Sequence, residues 1–118
     1  MISKNSSIHK SAKIGNGVEI GDYCVIGENV EIGDYCKIYN TVTISGNTKI
    51  GKKNTFYPYC SIGSNPQDLK FRGEKSFLNI GDNNTFREYC NISLGTEHGG
   101  YKTTIGNNSL YMVGSHVG

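Results

Sequence analysis

The sequence predicts an all-β chain wound as a parallel β-helix, and three observations carry that prediction. Stepping by six from Ile2 meets Ile8, Ile14, Ile20, Ile26, Ile32, Ile38, Ile44, Ile50, Phe56 and Ile62 without a gap. All 13 isoleucines of the chain fall on this first position once two later interruptions are allowed for. Finally, the second position is often glycine (Gly15, Gly21, Gly27, Gly33, Gly51, Gly63), and the fifth is small through Ser6, Ala12, Val18, Cys24, Val30, Cys36, Val42, Thr48 and Cys60. A period of six cannot keep one residue on one face of an α-helix, which turns every 3.6 residues. Hairpins are excluded as well, because Asn-Gly turns do not recur at hairpin spacing.

Three hexads make one triangular coil, so residues eighteen apart stack at about 4.8 Å, the spacing between strands. Ile2, Ile20, Ile38 and Phe56 form one inner column, Ile8, Ile26, Ile44 and Ile62 a second, and Ile14, Ile32 and Ile50 a third. Each coil buries its apolar residues only by stacking on the next. The fifth position points inward where space is limited, with Asn54 as the exception in size and polarity. Glycine at the second position suits a turn that needs positive φ.

The four cysteines, Cys24, Cys36, Cys60 and Cys90, all occupy position five behind a tyrosine (Tyr23, Tyr35, Tyr59, Tyr89). They read as small core residues. Cys24 and Cys60 share a face two rungs apart, about 9.6 Å on the strand spacing, which is beyond disulfide reach. The tyrosines are expected to lie outward. No CxxC pair occurs, so neither a metal nor a redox motif is supported.

The period fails twice. After Ile62-Gly63, first-position slots fall on Asp68 and Glu74, which cannot fill an apolar corner. The segment of about 64–79 is therefore expected to loop out, returning at Ile80, Phe86 and Ile92. A second loop, about 95–102, shifts the register by one, to Ile105, Tyr111 and Val117. The expectation is one β-helix domain over 1–118 with two ejected loops. It reads as truncated, because Val117-Gly118 begins an unfinished hexad without a polar cap. Loops leaving a rigid scaffold commonly carry function, which makes the polar groups of the first loop candidate site residues.

Composition narrows the function classes. The net charge of +2, with both signs interspersed, gives nucleic-acid binding little support. No apolar run approaches the roughly 18 residues that span a bilayer, and Met1–Ser7 holds no apolar signal core. A cytoplasmic protein without stable membrane insertion is expected. His9, His98 and His116 are too scattered for a zinc site.

Hexads of the Ile-Gly-x4 type resemble those of the left-handed β-helix acyltransferases, and the left hand of the coil is implied by that resemblance alone. The breaks are more specific. Asn65-Pro66-Gln67-Asp68-Leu69-Lys70-Phe71-Arg72-Gly73-Glu74 is similar to the N-x-QDLKY-x-GE loop of the UDP-N-acetylglucosamine O-acyltransferase family, the first enzymes of lipid A synthesis. Ile80–Glu88 resembles that family's IGD-x-N-x-IRE segment, Gly95–Gly100 its GT-x-x-GG turn, and Asn108–Gly118 its N-L-x-M-x-x-H-I-x segment, in family order.

The resemblance implies transfer of a 3-hydroxyacyl chain from acyl carrier protein to the 3-hydroxyl of UDP-N-acetylglucosamine. No cofactor is implied, and the assembly would be a homotrimer with active sites between coils. Asp68 would accept hydrogen bonds from the sugar, with Gln67 beside it. Lys70 would sit near the diphosphate, and Met112 would line the acyl path. His116 matches the first histidine of the family's H-x-x-H-D and would support catalysis. The second histidine, the general base, would fall just beyond Gly118. Two other functions fit the hexads: a sugar O-acetyltransferase using acetyl-CoA, and a non-catalytic trimerising module.

The 118-residue chain alone is accordingly expected to show no transferase activity. A purified 118-residue protein that turns over acyl-carrier-protein thioester at an enzymatic rate would contradict this.

Overall fold

The computed structural model describes residues 1–64, 76–95 and 102–117, and its strands recur with the six-residue period. In chain order these are β1 (Ser7–Ile8), β2 (Lys13–Ile14), β3 (Glu19–Ile20), β4 (Val25–Ile26), β5 (Glu31–Ile32), β6 (Lys37–Ile38), β7 (Thr43–Ile44), β8 (Asn47–Ile50), β9 (Thr55–Phe56), β10 (Ser61–Ser64), β11 (Phe77–Ile80), β12 (Thr85–Phe86), β13 (Asn91–Ser93), β14 (Lys102–Ile105), β15 (Leu110–Tyr111) and β16 (His116–Val117). They form three parallel sheets. The first face runs β1-β4-β7-β10-β13-β16, the second β2-β5-β8-β11-β14 and the third β3-β6-β9-β12-β15. The three columns read from the sequence are the three interiors: Ile8, Ile26, Ile44 and Ile62 stack in register on the first face.

Backbone hydrogen bonds tie coil to coil at the same hexad position. The N–H of each second-position residue donates to the first-position carbonyl of the next coil, as from Gly15 to Ile32, Gly33 to Ile50, Gly51 to Ile80 and Gly81 to Ile105, each at 2.8 Å. The glycines there are required by close approach. A Cβ on Gly51 would lie 2.6 Å from the Gly81 carbonyl oxygen, and one on Gly33 2.6 Å from the Gly51 carbonyl carbon. The sequence expectation of positive φ at these glycines is thus corrected, with Gly63 (φ 80°) the exception. The left-handed conformation falls at position four instead, on Tyr23, Asn29, Tyr35, Thr41, Lys53, Tyr59, Asn83, Tyr89 and Asn108. Non-glycine residues avoid this region. Here it aims their N–H at the preceding coil, as from Tyr35 to the Asn16 carbonyl at 2.8 Å and from Lys53 to that of Asp34 at 2.9 Å.

Position five faces inward and bonds upward. The Cys36 thiol donates to the Gly51 carbonyl at 3.1 Å. One coil on, the fully buried Asn54 donates from Nδ2 to Gly81 at 2.8 Å, while its Oδ1 accepts from the N–H of Asn84. Asn84 repeats the pattern with Gly106 and Ser109. The apparent anomaly at Asn54 is therefore a satisfied buried amide, as buried polar groups must be.

The first break does not disturb the stack. Phe56 pairs with Phe86, thirty residues on instead of eighteen, and their rings lie 4.7 Å apart at 3°. Phe86 in turn stacks on Tyr111 at 4.9 Å. β11 already begins at Phe77, so residues 77–79, which the hexad count assigns to the loop, are strand. They pair in register with Asn47–Lys49 of the longer β8.

Two outcomes are expected. Phe86→Ala removes the middle ring of the stack and should cost about 3–5 kcal/mol, read as a lowered urea midpoint. Gly51→Ala forces the next coil away and should cost about 1–3 kcal/mol, whereas alanine at Gly106, where a Cβ meets nothing within 4 Å, should cost much less.

Candidate active site

Both breaks leave the coil at one place. Ser64 and Ser93 are paired residues at the ends of β10 and β13, with a register shift between Ile62 and Ser64. The Leu94 N–H donates to the Ser64 carbonyl at 2.8 Å. The chain re-enters in register as well, with Phe77 opposite Lys102. Gly63 sits at the shift because its φ of 80° and its contact with Ser45 and Thr48 leave no room for a side chain. A bulge of this kind bends the strand and re-aims the residues beyond it. The two segments thus spring from adjacent rungs on the edge between the first and second faces.

The outer surface of the first face ends at this edge. Its stacked outer residues run Ser7, Val25, Thr43, Ser61, Asn91 and His116. His116 is exposed on β16, directly opposite the half-buried Asn91. Met112 is also exposed (64%) and lies at the preceding corner of the same coil. A turn closed by Ser115 N–H donating to the Met112 carbonyl at 3.1 Å separates the two. Gln67, Asp68 and Lys70 lie outside the described residues, so of the expected site residues His116 and Met112 have a described place. The hexad count missed Asn91, whose outward position six carries no periodic signal.

Elsewhere on the surface, Tyr23, Tyr35, Tyr59 and Tyr89 are exposed as expected. Tyr59 stacks on Tyr89 at 5.2 Å and Tyr39 on Tyr57 at 4.9 Å. The Arg87 guanidinium covers the Tyr57 ring at 4.5 Å and pairs with Glu88 at 3.0 Å. Arg87 and Glu88 are half-exposed, so the pair adds little stability. His9 is exposed and accepts from the Ser11 N–H at 3.0 Å.

The thiols are unsuited to chemistry. All four are free and buried. Burial pushes each one up from its ordinary value, and Cys60 reaches about 12. Cys90 stacks on the rung next to Cys60, and the Cys60 thiol donates to the Arg87 carbonyl at 3.1 Å. Among the described residues no group of three or more His, Cys, Asp or Glu could hold a metal ion, and no helix is long and apolar enough to cross a membrane.

Comparison with known proteins places this geometry. The family model for bacterial transferase hexapeptide (six repeats) matches residues 1–33 and 11–46. Together with the three parallel sheets, it defines the class: a left-handed parallel β-helix of hexapeptide repeats. Within that class the chain is similar to the acyl-[acyl-carrier-protein]–UDP-N-acetylglucosamine O-acyltransferases. It is 46% identical to the one from Rickettsia peacockii, over 97% of this chain and 46% of that protein. It is 45% identical to the one from Akkermansia muciniphila, over 99% of this chain and 45% of that protein. The solved UDP-N-acetylglucosamine acyltransferase of Bacteroides fragilis superposes with a TM-score of 0.96 at 49% identity, covering 99% of this chain and 46% of that one. The Acinetobacter baumannii structure gives 0.96 at 40%, covering 98% and 45%. The chain thus spans about half the length of the relatives it matches.

The thiol environment has a pH consequence. A folded value above the unfolded one means that the native state holds protons the unfolded state has lost. The stability this provides is complete below the ordinary thiol value of 9.0 and disappears as pH rises toward about 12. Unfolding midpoints should therefore fall over that interval. Thiol reagent at pH 8 should leave the native cysteines unmodified and label all four in denaturant.

Proposed function

We propose that the chain forms part of an acyltransferase that moves a 3-hydroxyacyl group from acyl carrier protein to the 3-hydroxyl of UDP-N-acetylglucosamine, the first step of lipid A synthesis. The observation that carries this reading is the common exit of both breaks. The two loop sequences that resemble the acyltransferases leave from stacked residues, Ser64 and Ser93, beside the outer face that presents His116. A coil that served only as a spacer has no need to eject two polar segments at one edge.

In the reaction the sugar hydroxyl attacks the thioester carbonyl. The new ester forms as the carbon–sulfur bond breaks, and the carrier's thiol departs with a proton. An imidazole is the natural base for such a proton, because it titrates near neutrality and accepts directly from a hydroxyl. In this reading the base is the histidine that the family places just after Gly118. His116, three residues earlier in the motif, orients the reacting groups. Asp68 takes the sugar hydroxyls, with Gln67 beside it. Lys70, a compact charge, faces the diphosphate, and Met112 borders the acyl chain. The enzyme is a cytoplasmic homotrimer that works without a cofactor, and residues 1–118 make up one β-helix domain.

The test is an assay of the complete gene product with UDP-N-acetylglucosamine and either 3-hydroxyacyl-carrier protein or acetyl-CoA. Transfer from the carrier protein alone is expected, and acetyl transfer from CoA alone would overturn the reading. In the same protein, Asp68→Ala should weaken sugar-nucleotide affinity about tenfold or more, the loss of a charged hydrogen bond. Unchanged affinity in a calorimetric titration would remove Asp68 from the site.

A further inference from the structure

Asn91 lies at the centre of the polar part of the first face, on β13 between β10 and β16. Its side chain shares the outer surface with Ser61 on one side and His116 on the other, each on an adjacent rung. Adjacent rungs are about 4.8 Å apart, so a small ligand that reaches His116 also reaches Asn91. The amide is held in one orientation. Its Oδ1 accepts from the hydroxyl of Ser64 at 3.4 Å and from that of Ser93 at 3.5 Å. Ser93 is itself buried (1% exposed), and Ser64 stands where it does because of the bulge at Gly63. Two hydroxyls thus occupy the carbonyl end of the amide. Its Nδ2 donates no hydrogen bond to any described residue, although Asn91 is half-buried. No buried side-chain nitrogen or oxygen among the described residues lacks a partner, so this donor is open to solvent and free to meet a ligand. The serines beside it (Ser61, Ser64, Ser93) are uncharged, so this part of the patch suits neutral oxygens.

We propose that Asn91 is a substrate-contacting residue of the acyl-transfer site, its Nδ2–H donating to a hydroxyl or carbonyl oxygen of the substrate that lies against His116. The proposal rests on the acyl-transfer reading above. The bulge and the two serines then have a role beyond packing, because they turn the amide nitrogen toward the ligand.

The experiment compares Asn91→Asp and Asn91→Ala with the wild type in the complete gene product. Kinetics are measured separately in acyl-carrier protein and in UDP-N-acetylglucosamine, and unfolding midpoints are taken alongside. Aspartate keeps the oxygen that faces the serines and replaces the donor with an acceptor, so a merely structural role would leave its kinetics unchanged. Both folded variants should lose threefold or more in kcat/KM, with Asn91→Asp the worse. A raised KM for the sugar nucleotide assigns the contact to the sugar, and a raised KM for the carrier protein assigns it to the acyl group. A fall in kcat alone assigns it to the carbonyl oxygen in the transition state. Either folded variant within threefold of wild type in every parameter overturns the proposal while leaving the acyl-transfer reading intact. A wild-type protein that transfers no acyl group overturns both.

Discussion

Parallel strands only two to four residues long have little stability alone, so this molecule depends on keeping each coil in register with the next. The constraint acts at three hexad positions together. An isoleucine or aromatic residue at position one stacks on its equivalent. The N–H at position two donates to the coil above, and the side chain at position five fills the interior beneath the following turn. A slip of one residue would turn every buried isoleucine to solvent. Substitutions that respect the register are tolerated even when their chemistry changes, as the series Cys36, Asn54 and Asn84 shows.

The same constraint explains what the sequence revealed and what it concealed. Position one faces a dry interior at every turn, so its residue type is forced and the columns could be read directly. The glycines were visible, but the reason for them was not. A missing Cβ looks the same in sequence whether φ or a neighbouring backbone demands it, and close approach decides at Gly33 and Gly51. The left-handed residues, such as Tyr35 and Lys53, were hidden because hydrogen bonds to the preceding coil override their own preference. The strand identity of residues 77–79 was hidden too, since only their partners on β8 select it. The adjacency of Cys60 and Cys90 emerges only when the ejected loop is removed from the count.

The site follows the opposite logic. The outer face is free of the packing rule, so its residue types vary from rung to rung: Ser7, Val25, Thr43, Ser61, Asn91, His116. Function can be written there without cost to the coil, and periodicity cannot detect it. His116 and Met112 were singled out by resemblance, and Asn91 by its position beside His116 and an amide donor that no described residue accepts. The rigid stack contributes precision of placement: Ser64 and Ser93, the paired residues at which the period breaks, have their spacing set by the ladder.

The central claim is that ejecting the first loop leaves the stack continuous, so that residues thirty apart are neighbours and both breaks meet at one edge. Nuclear Overhauser contacts in the isotopically labelled chain test this most directly. The account predicts ring contacts from Phe56 to Phe86 and from Phe86 to Tyr111, together with a contact between the Leu94 amide and the backbone of Ser64. Absence of the Phe56–Phe86 contact, with Phe56 instead in contact with residues eighteen further on, would show that the loop lies within the coil and would contradict the account.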